Sequence, residues 1–127
     1  MKQVFLSMGL VLGLLIFGVA CDYGKSGGGT QTGDSALMSP PSSAGRTDND
    51  EGVGHYKQGH WDVSEGHFRK AVKADPNLAE AHYNLGLALD KMGKHDEATA
   101  EFKKAAELAP TNAAIKDSPI LKKHIAM

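Results

Sequence analysis

Three histidines lie close together in the sequence, and their imidazoles are the side chains best suited to metal binding or general base catalysis. His55, His60 and His67 fall on either side of a glycine turn. No two of them have the i, i+4 spacing of a helical zinc site, and the chain has no H-E-x-x-H motif. We therefore expect no catalytic residues, no metal site and no cofactor. The alternative, a metal-delivery role for these histidines, requires metal that stays bound through purification at neutral pH.

The chain has a single cysteine, Cys21, which excludes internal disulfides and Cys-paired zinc or iron–sulfur sites. It follows Met1–Gln3, which carries one positive side chain, and an apolar run over residues 4–20. A charged start, a short apolar middle and a small-residue exit are typical of a secretory signal peptide. A spanning helix needs about 20 apolar residues, more than this run offers. Two alternatives stay open: an uncleaved anchor, and a signal peptide whose mature chain keeps a free thiol.

Residues 15–21 read LIFGVAC and resemble the lipobox of bacterial lipoproteins, departing at Gly18, where leucine is commonest. The resemblance implies a signal peptide over residues 1–20, cleavage after Ala20, and a lipidated Cys21 whose new amino terminus is also acylated, for example with palmitate. Two acyl chains anchor a protein stably, at roughly 0.8 kcal/mol for each buried CH₂ group. We therefore expect a protein of the bacterial cell envelope, on the inner or outer membrane, with its domain facing the periplasm or the exterior.

The segment after the cysteine is predicted to be a flexible linker over residues 21–47. It contains Gly27–Gly29, Pro40–Pro41 and scattered serines and threonines, with almost no apolar side chains. Such a segment cannot bury enough apolar surface to offset its ordering entropy. We expect it to be disordered, with a root-mean-square span of roughly 25–30 Å.

The remaining chain is one small domain of nearly balanced charge. The whole sequence has 127 residues, with 14 Lys and Arg against 15 Asp and Glu, for a formal net charge of -1. Nucleic-acid binding needs a concentrated basic face, so we expect no nucleic-acid partner.

The second half of the sequence repeats with a period of 34 residues. The clearest unit predicts a helix from Ala79 to about Met92, a turn at Gly93, and a second helix capped by Asp96 and ending near Leu108. Identical residues recur one period apart at eight pairs of positions: 52/86, 57/91, 59/93, 62/96, 68/102, 70/104, 71/105 and 76/110. A repeat of this length predicts a stack of helical hairpins.

The second unit resembles the tetratricopeptide repeat (TPR). The residues that carry the resemblance are Leu85, Gly86, Ala98, Phe102, Ala105 and Pro110. His82 and Leu89 stand where the family has Trp and Tyr. The resemblance implies an all-α fold, a short α-solenoid of about two TPR helix hairpins, over residues 48–78 and 79–112 (48–112 in all).

The first unit matches only in its second helix. Its first helix contains Gly52 and Gly54, and each glycine costs about 1 kcal/mol relative to alanine in a helix interior. One interpretation is a polar, frayed end of the solenoid. The other is a helix that becomes ordered only against a partner or a second copy of the chain.

The last segment, residues 113–127, is predicted to be a capping helix. Ser118 is expected to cap it and the following proline to occupy its first position. Ile120, Leu121 and Ile125 are then expected to cover the exposed face of the second unit.

In the TPR family the first helix of each pair lines a concave face that binds an extended peptide or a partner's helix. By that register the candidate groove residues are Tyr56, Lys57, Glu80, Tyr83, Asn84, Leu87, Asp90 and Lys91. Asn84 lies where the family often uses Asn to bond a ligand's backbone, but Asn49 and Val53 depart from the family's carboxylate clamp. The residues are equally compatible with an ordinary solvated helix face.

We predict a membrane-anchored TPR lipoprotein that acts as a noncatalytic protein–protein interaction module. The alternative is a structural homo-oligomer that self-associates through its weak first helix.

Overall fold

The computed structural model describes residues 35–126, and within that range the fold is all-helical. The predicted signal peptide, Cys21 and the first part of the predicted linker lie outside the described residues. The helices are α1 (Arg46–Lys57), α2 (Trp61–Ala74), α3 (Ala79–Lys91), α4 (His95–Leu108), α5 (Ala113–Lys116) and α6 (Pro119–Ile125). Helices α1 and α2 form one hairpin and α3 and α4 a second, with α2 packed against α3. This is the predicted short α-solenoid of two hairpins.

The α3–α4 hairpin is held by a close contact between a glycine and an aromatic ring. A Cβ atom at Gly86 would lie 2.8 Å from Cδ1 and Cε1 of Phe102, so only glycine lets α3 approach the ring. Phe102 is fully buried, as are Ala98 and Ala105 on the same face of α4. These small side chains lie on one stripe of the helix and allow close packing.

The α1–α2 hairpin repeats this contact one period earlier. A Cβ atom at Gly52 would lie 2.6 Å from Cε1 of Phe68, which is fully buried in α2. The hydroxyl of Ser64 donates to the carbonyl of Gly52 at 3.0 Å. Helix α1 is therefore ordered by contacts within its own chain. The glycine that lowers its intrinsic helix propensity is required by its packing.

The hairpin turns lie at the predicted glycines, but one predicted helix cap is not observed. Gly59 and Gly93 have φ of 79° and 76°, the left-handed conformation that glycine adopts without steric cost. Asp96, predicted as the N-cap of α4, instead lies in its first turn, because the helix begins at His95. An acidic side chain there still interacts favourably with the positive end of the helix.

The predicted capping helix is two short helices, α5 and α6. The Oγ atom of Ser118 accepts from the backbone N–H of Leu121 at 3.4 Å, and Pro119 takes the first helical position, as predicted. Leu121 is buried, but Ile125 is 36% exposed and His124 is buried in its place. The prediction for Ile125 was wrong because the residue that shares the buried face of α6 with Leu121 is three positions later, at His124.

The predicted linker ends earlier than expected. Helix α1 begins at Arg46, and residues 35–39 lie against the helices rather than apart from them. Ala36 is only 4% exposed and belongs to the main hydrophobic core. The composition of the segment is that of a linker, but the helices offer it hydrogen-bond partners and an apolar surface.

Candidate functional site

The candidate site is the surface of α1 and α3, and a segment of the same chain occupies it. The side-chain amide of Asn84 in α3 makes two hydrogen bonds to the backbone of Leu37. Its Oδ1 accepts from the Leu37 N–H at 2.7 Å, and its Nδ2 donates to the Leu37 carbonyl at 2.7 Å. Asn84 is fully buried, and Leu37 is partly buried. Asn84 thus binds the backbone of its own chain, and its predicted role toward a separate peptide stays a prediction.

Asn49 in α1 completes the contact with Leu37. Its Nδ2 donates to the Leu37 carbonyl at 2.9 Å, and its Oδ1 accepts from Asn84 Nδ2 at 2.8 Å. Asn49 is also fully buried. In the sequence, Asn49 stands out only as a departure from the carboxylate clamp, and its contact with the backbone was not predicted.

A second backbone contact is made by Asp50, at the position of the first hairpin that is equivalent to Asn84 in the second. Oδ1 of Asp50 accepts from the Ser39 N–H at 3.0 Å. Asp50 and Asn84 are one period of 34 residues apart, so equivalent positions of the two hairpins bind N–H groups two residues apart in the segment. In an extended strand, every second residue faces the same side, so this spacing is that of an extended segment. Matching position 50 to position 84 is the sequence signal that would have identified Asp50.

The other predicted groove residues divide into buried and exposed groups. Tyr56, Tyr83 and Leu87 are buried in the core, so they do not present an open apolar surface. The Tyr83 hydroxyl lies 2.8 Å from Oγ of Ser118, at the start of α6. Glu80 is partly buried and accepts from Asn112 at 3.4 Å. Lys57 and Lys91 are exposed at the carboxyl ends of α1 and α3.

Asp90, the remaining groove residue, faces two histidines. Its Oδ1 lies 3.0 Å from Nδ1 of His95 and 2.9 Å from Nε2 of His124. Burial raises the pKa of Asp90, but the two histidine contacts outweigh it, so the pKa lies below its ordinary value of 3.8. The other nitrogen of His124 lies 2.8 Å from Oγ1 of Thr99 in α4, and its ring lies against Phe102. His124 therefore joins α6 to both helices of the second hairpin.

His82, which stands where the TPR family has Trp, joins α3 to α4. Its Nδ1 lies 2.6 Å from Oε2 of Glu101, and its Nε2 donates to the carbonyl of Pro76 at 2.9 Å. Burial lowers the pKa of His82, but the hydrogen bonds to Glu101 and Pro76 outweigh burial. The pKa is therefore raised above 6.5. Polar contacts here take the place of the packing that an indole would provide.

His55, His60 and His67, which are close in sequence, also lie close together in the structure. The ring of His55 stacks on that of His67 at 5.3 Å and lies 5.8 Å from that of His60. Nδ1 of His67 lies 3.7 Å from Asp48 and 3.4 Å from Glu51, across the α1–α2 contact. A histidine nitrogen with two carboxylate oxygens is a donor set that zinc accepts. These side chains are partly exposed, and such groups are common without an ion. The expectation of no metal site stays a prediction.

Comparison with known proteins identifies the family. The tetratricopeptide repeat family matches residues 49–113, just over half of the chain. The chain therefore belongs to the tetratricopeptide repeat family. Repeats of this family are protein–protein interaction modules, and that is the general role of this domain.

Similar curated proteins match only through this region. The chain is 32% identical over 65 residues to anaphase-promoting complex subunit 3 of Schizosaccharomyces pombe, covering 51% of this chain and 10% of that protein. It is 42% identical over 48 residues to protein bimA of Emericella nidulans, covering 38% and 6%. It is 38% identical over 56 residues to protein O-mannosyl-transferase Tmtc2 of Drosophila melanogaster, covering 43% and 6%. The chain thus spans a tenth or less of these relatives.

Within residues 35–126, every helix is too short or too polar to cross a bilayer.

Proposed function

We propose that this chain is a noncatalytic, membrane-anchored binding protein whose TPR domain holds an extended segment of a partner protein against α1 and α3. The observation that carries the proposal is the pair of 2.7 Å hydrogen bonds between Asn84 and the backbone of Leu37. Both bonds go to main-chain atoms, so they fit an extended segment of almost any sequence. Membership of the TPR family supports the same role.

Site-specific photo-crosslinking tests the interaction role. A photoreactive amino acid at Lys57 or Lys91 places the cross-linker at the exposed ends of α1 and α3. The matched controls are Lys70 and Lys103, which are exposed on α2 and α4. We expect a protein cross-link from the first two positions and none from the controls. Equal labelling from all four positions would contradict a binding surface on α1 and α3.

The membrane anchor in this proposal is a lipid on Cys21. The lipobox-like residues before it support lipidation, cleavage after Ala20, and a location in the bacterial cell envelope. Expression in a bacterial host with labelled palmitate tests this. We expect label in the wild-type chain and in the membrane fraction, and none in the Cys21→Ser variant. Unlabelled wild-type protein would overturn the lipoprotein assignment.

The absence of catalysis is part of the same proposal. The buried side chains of His82 and His124 and the partly buried carboxylate of Asp90 contact one another or neighbouring elements of the fold, which supports structural roles. A hydrolase or metal-dependent activity that survives purification and is lost in a variant of one of these residues would contradict it.

A further inference from the structure

The segment at residues 35–39 has the geometry of a bound ligand. Resting on the proposed function, we infer that it is an intramolecular pseudo-ligand that closes the groove. We further infer that the partner is an extended peptide presenting a small side chain followed by an aliphatic one, and that this peptide displaces the segment. In the segment, Ala36 is 4% exposed and Leu37 packs against the core, whereas Met38 is 56% exposed. The surface therefore selects two consecutive side chains.

The size of the first side chain is the sharper requirement. Ala36 lies in the same core cluster as Tyr83 and Leu87, both of which are less than 2% exposed. A protein interior packed at this density has no room for a longer side chain without displacing its neighbours. The position after it accepts an aliphatic side chain that stays partly in water. The two asparagines, meanwhile, bind the backbone and do not discriminate between sequences.

The segment can leave the groove without unfolding the hairpins. Its polar anchors are the N–H and carbonyl of Leu37 and the N–H of Ser39. The glycine–ring contacts of the hairpins, Gly52 with Phe68 and Gly86 with Phe102, are made between helices. An incoming peptide can make the same backbone bonds, so Asn49 and Asn84 are not left unpaired after exchange.

The segment competes strongly because it is tethered. Only residues 40–45 join it to α1, and so short a connection gives an effective concentration on the order of millimolar. An external peptide binds only the open fraction of molecules, and its apparent dissociation constant rises as that fraction falls. The closed form thus lowers the apparent affinity of the groove for any peptide that binds only the open form.

The test uses the full chain in detergent micelles and a fluorescent peptide with the sequence of residues 35–41. The variant Ala36→Arg places a long charged side chain in the buried position and releases the internal segment. Met38→Arg is the matched control, because the same side chain is added at an exposed position of the same segment. By fluorescence anisotropy we expect Ala36→Arg to bind the peptide at least tenfold more tightly than wild type, and Met38→Arg to bind it as wild type does.

A second measurement follows the displacement itself. With saturating peptide, hydrogen exchange at residues 35–39 of the wild-type chain should accelerate at least tenfold, while exchange in α4 stays unchanged. Asp50→Ala, which removes the acceptor for the Ser39 N–H, should leave peptide affinity close to that of wild type, because it weakens the internal segment and the peptide alike. Asn84→Asp in the Ala36→Arg background should abolish peptide binding. Circular dichroism of each variant verifies that the helices are retained.

Equal peptide affinity in wild type and Ala36→Arg would overturn the inference, as would a sedimenting dimer in which the segment is exchanged between copies. If the peptide fails to bind but cross-links still form at Lys57 and Lys91, the inference is wrong and the proposed function stands. If both fail, the proposed function is wrong as well.

Discussion

Two glycines in α1 should respond in opposite ways to the same substitution. Gly52 and Gly54 both lie inside the helix, and Gly→Ala adds one methyl group at each. A methyl group at Gly54 meets no atom within 4 Å, whereas one at Gly52 would lie 2.6 Å from Cε1 and 2.7 Å from Cδ1 of Phe68. We predict that Gly54→Ala stabilises the protein and that Gly52→Ala destabilises it relative to that variant.

The magnitude follows from two contributions to the free energy of unfolding. In a helix interior, alanine is intrinsically more favourable than glycine by about 0.5–1 kcal/mol. This gain is common to both variants. The ring of Phe68 is fully buried and can move only by displacing its neighbours, and overpacking of this kind costs about 1–3 kcal/mol. The difference between the two variants should therefore be about 1–3 kcal/mol, the overpacking cost alone.

Urea denaturation followed by circular dichroism at the helix band measures this difference directly. The slope of the transition should be the same in both variants, because the surface exposed on unfolding hardly changes. Gly86→Ala and Gly66→Ala provide a second pair, since a methyl group at Gly86 would meet Phe102 at 2.8 Å and one at Gly66 meets nothing within 4 Å. If Gly52→Ala is as stable as Gly54→Ala, the close contact between helix and ring does not determine how the hairpin packs.

Three further predictions concern polar contacts between helices. Because the pKa of His82 is raised, its protonated ring adds to the free energy of unfolding. This contribution is fully present below pH 6.5 and is lost as the pH rises through the raised pKa. In thermal melts, His82→Gln should therefore reduce the loss of stability as the pH rises through this range. Because the pKa of Asp90 is lowered, its contribution is present above pH 3.8 and is lost as the pH falls through the lowered value. Asp90→Asn should therefore remove part of the acid sensitivity, and an unchanged acid midpoint would contradict the contacts to its histidines. Ser118→Ala removes the cap of α6 and the partner of the Tyr83 hydroxyl, and should cost about 1 kcal/mol in urea denaturation, whereas a cost near zero would mean that α6 docks without its cap.

The repeat made much of the hairpin fold predictable. Identical residue types one period apart place Phe68 and Phe102 in equivalent helices, and each meets the glycine of its own hairpin. Turn positions were predictable for a local reason, since left-handed backbone conformations favour glycine. Helix α1 was harder, because intrinsic propensity counts Gly52 as a cost and says nothing of the ring that packs against it.

The site was predictable only in part. Asn84 could be placed on the surface of α3 by register within its repeat, and in the structure it binds the backbone of Leu37 in its own chain. Asp50 could have been matched to Asn84 by the same period, whereas the role of Asn49 depends on which atoms come to lie opposite it. The position of His124 likewise depends on partners in α3 and α4, distant in sequence.

By itself, the sequence determined the local features: the helices of the second hairpin, the turn positions, the 34-residue period and the family. These depend on backbone preferences and on apolar spacing within one or two helices, which neighbouring residues specify. Only the tertiary structure decided that residues 35–39 lie against α1 and α3. Their composition predicts a linker, and the partners that hold Leu37 lie 12 residues away, at Asn49, and 47 residues away, at Asn84. A polar segment is ordered when a folded surface offers bonds for its backbone, and that surface exists only after the hairpins have packed.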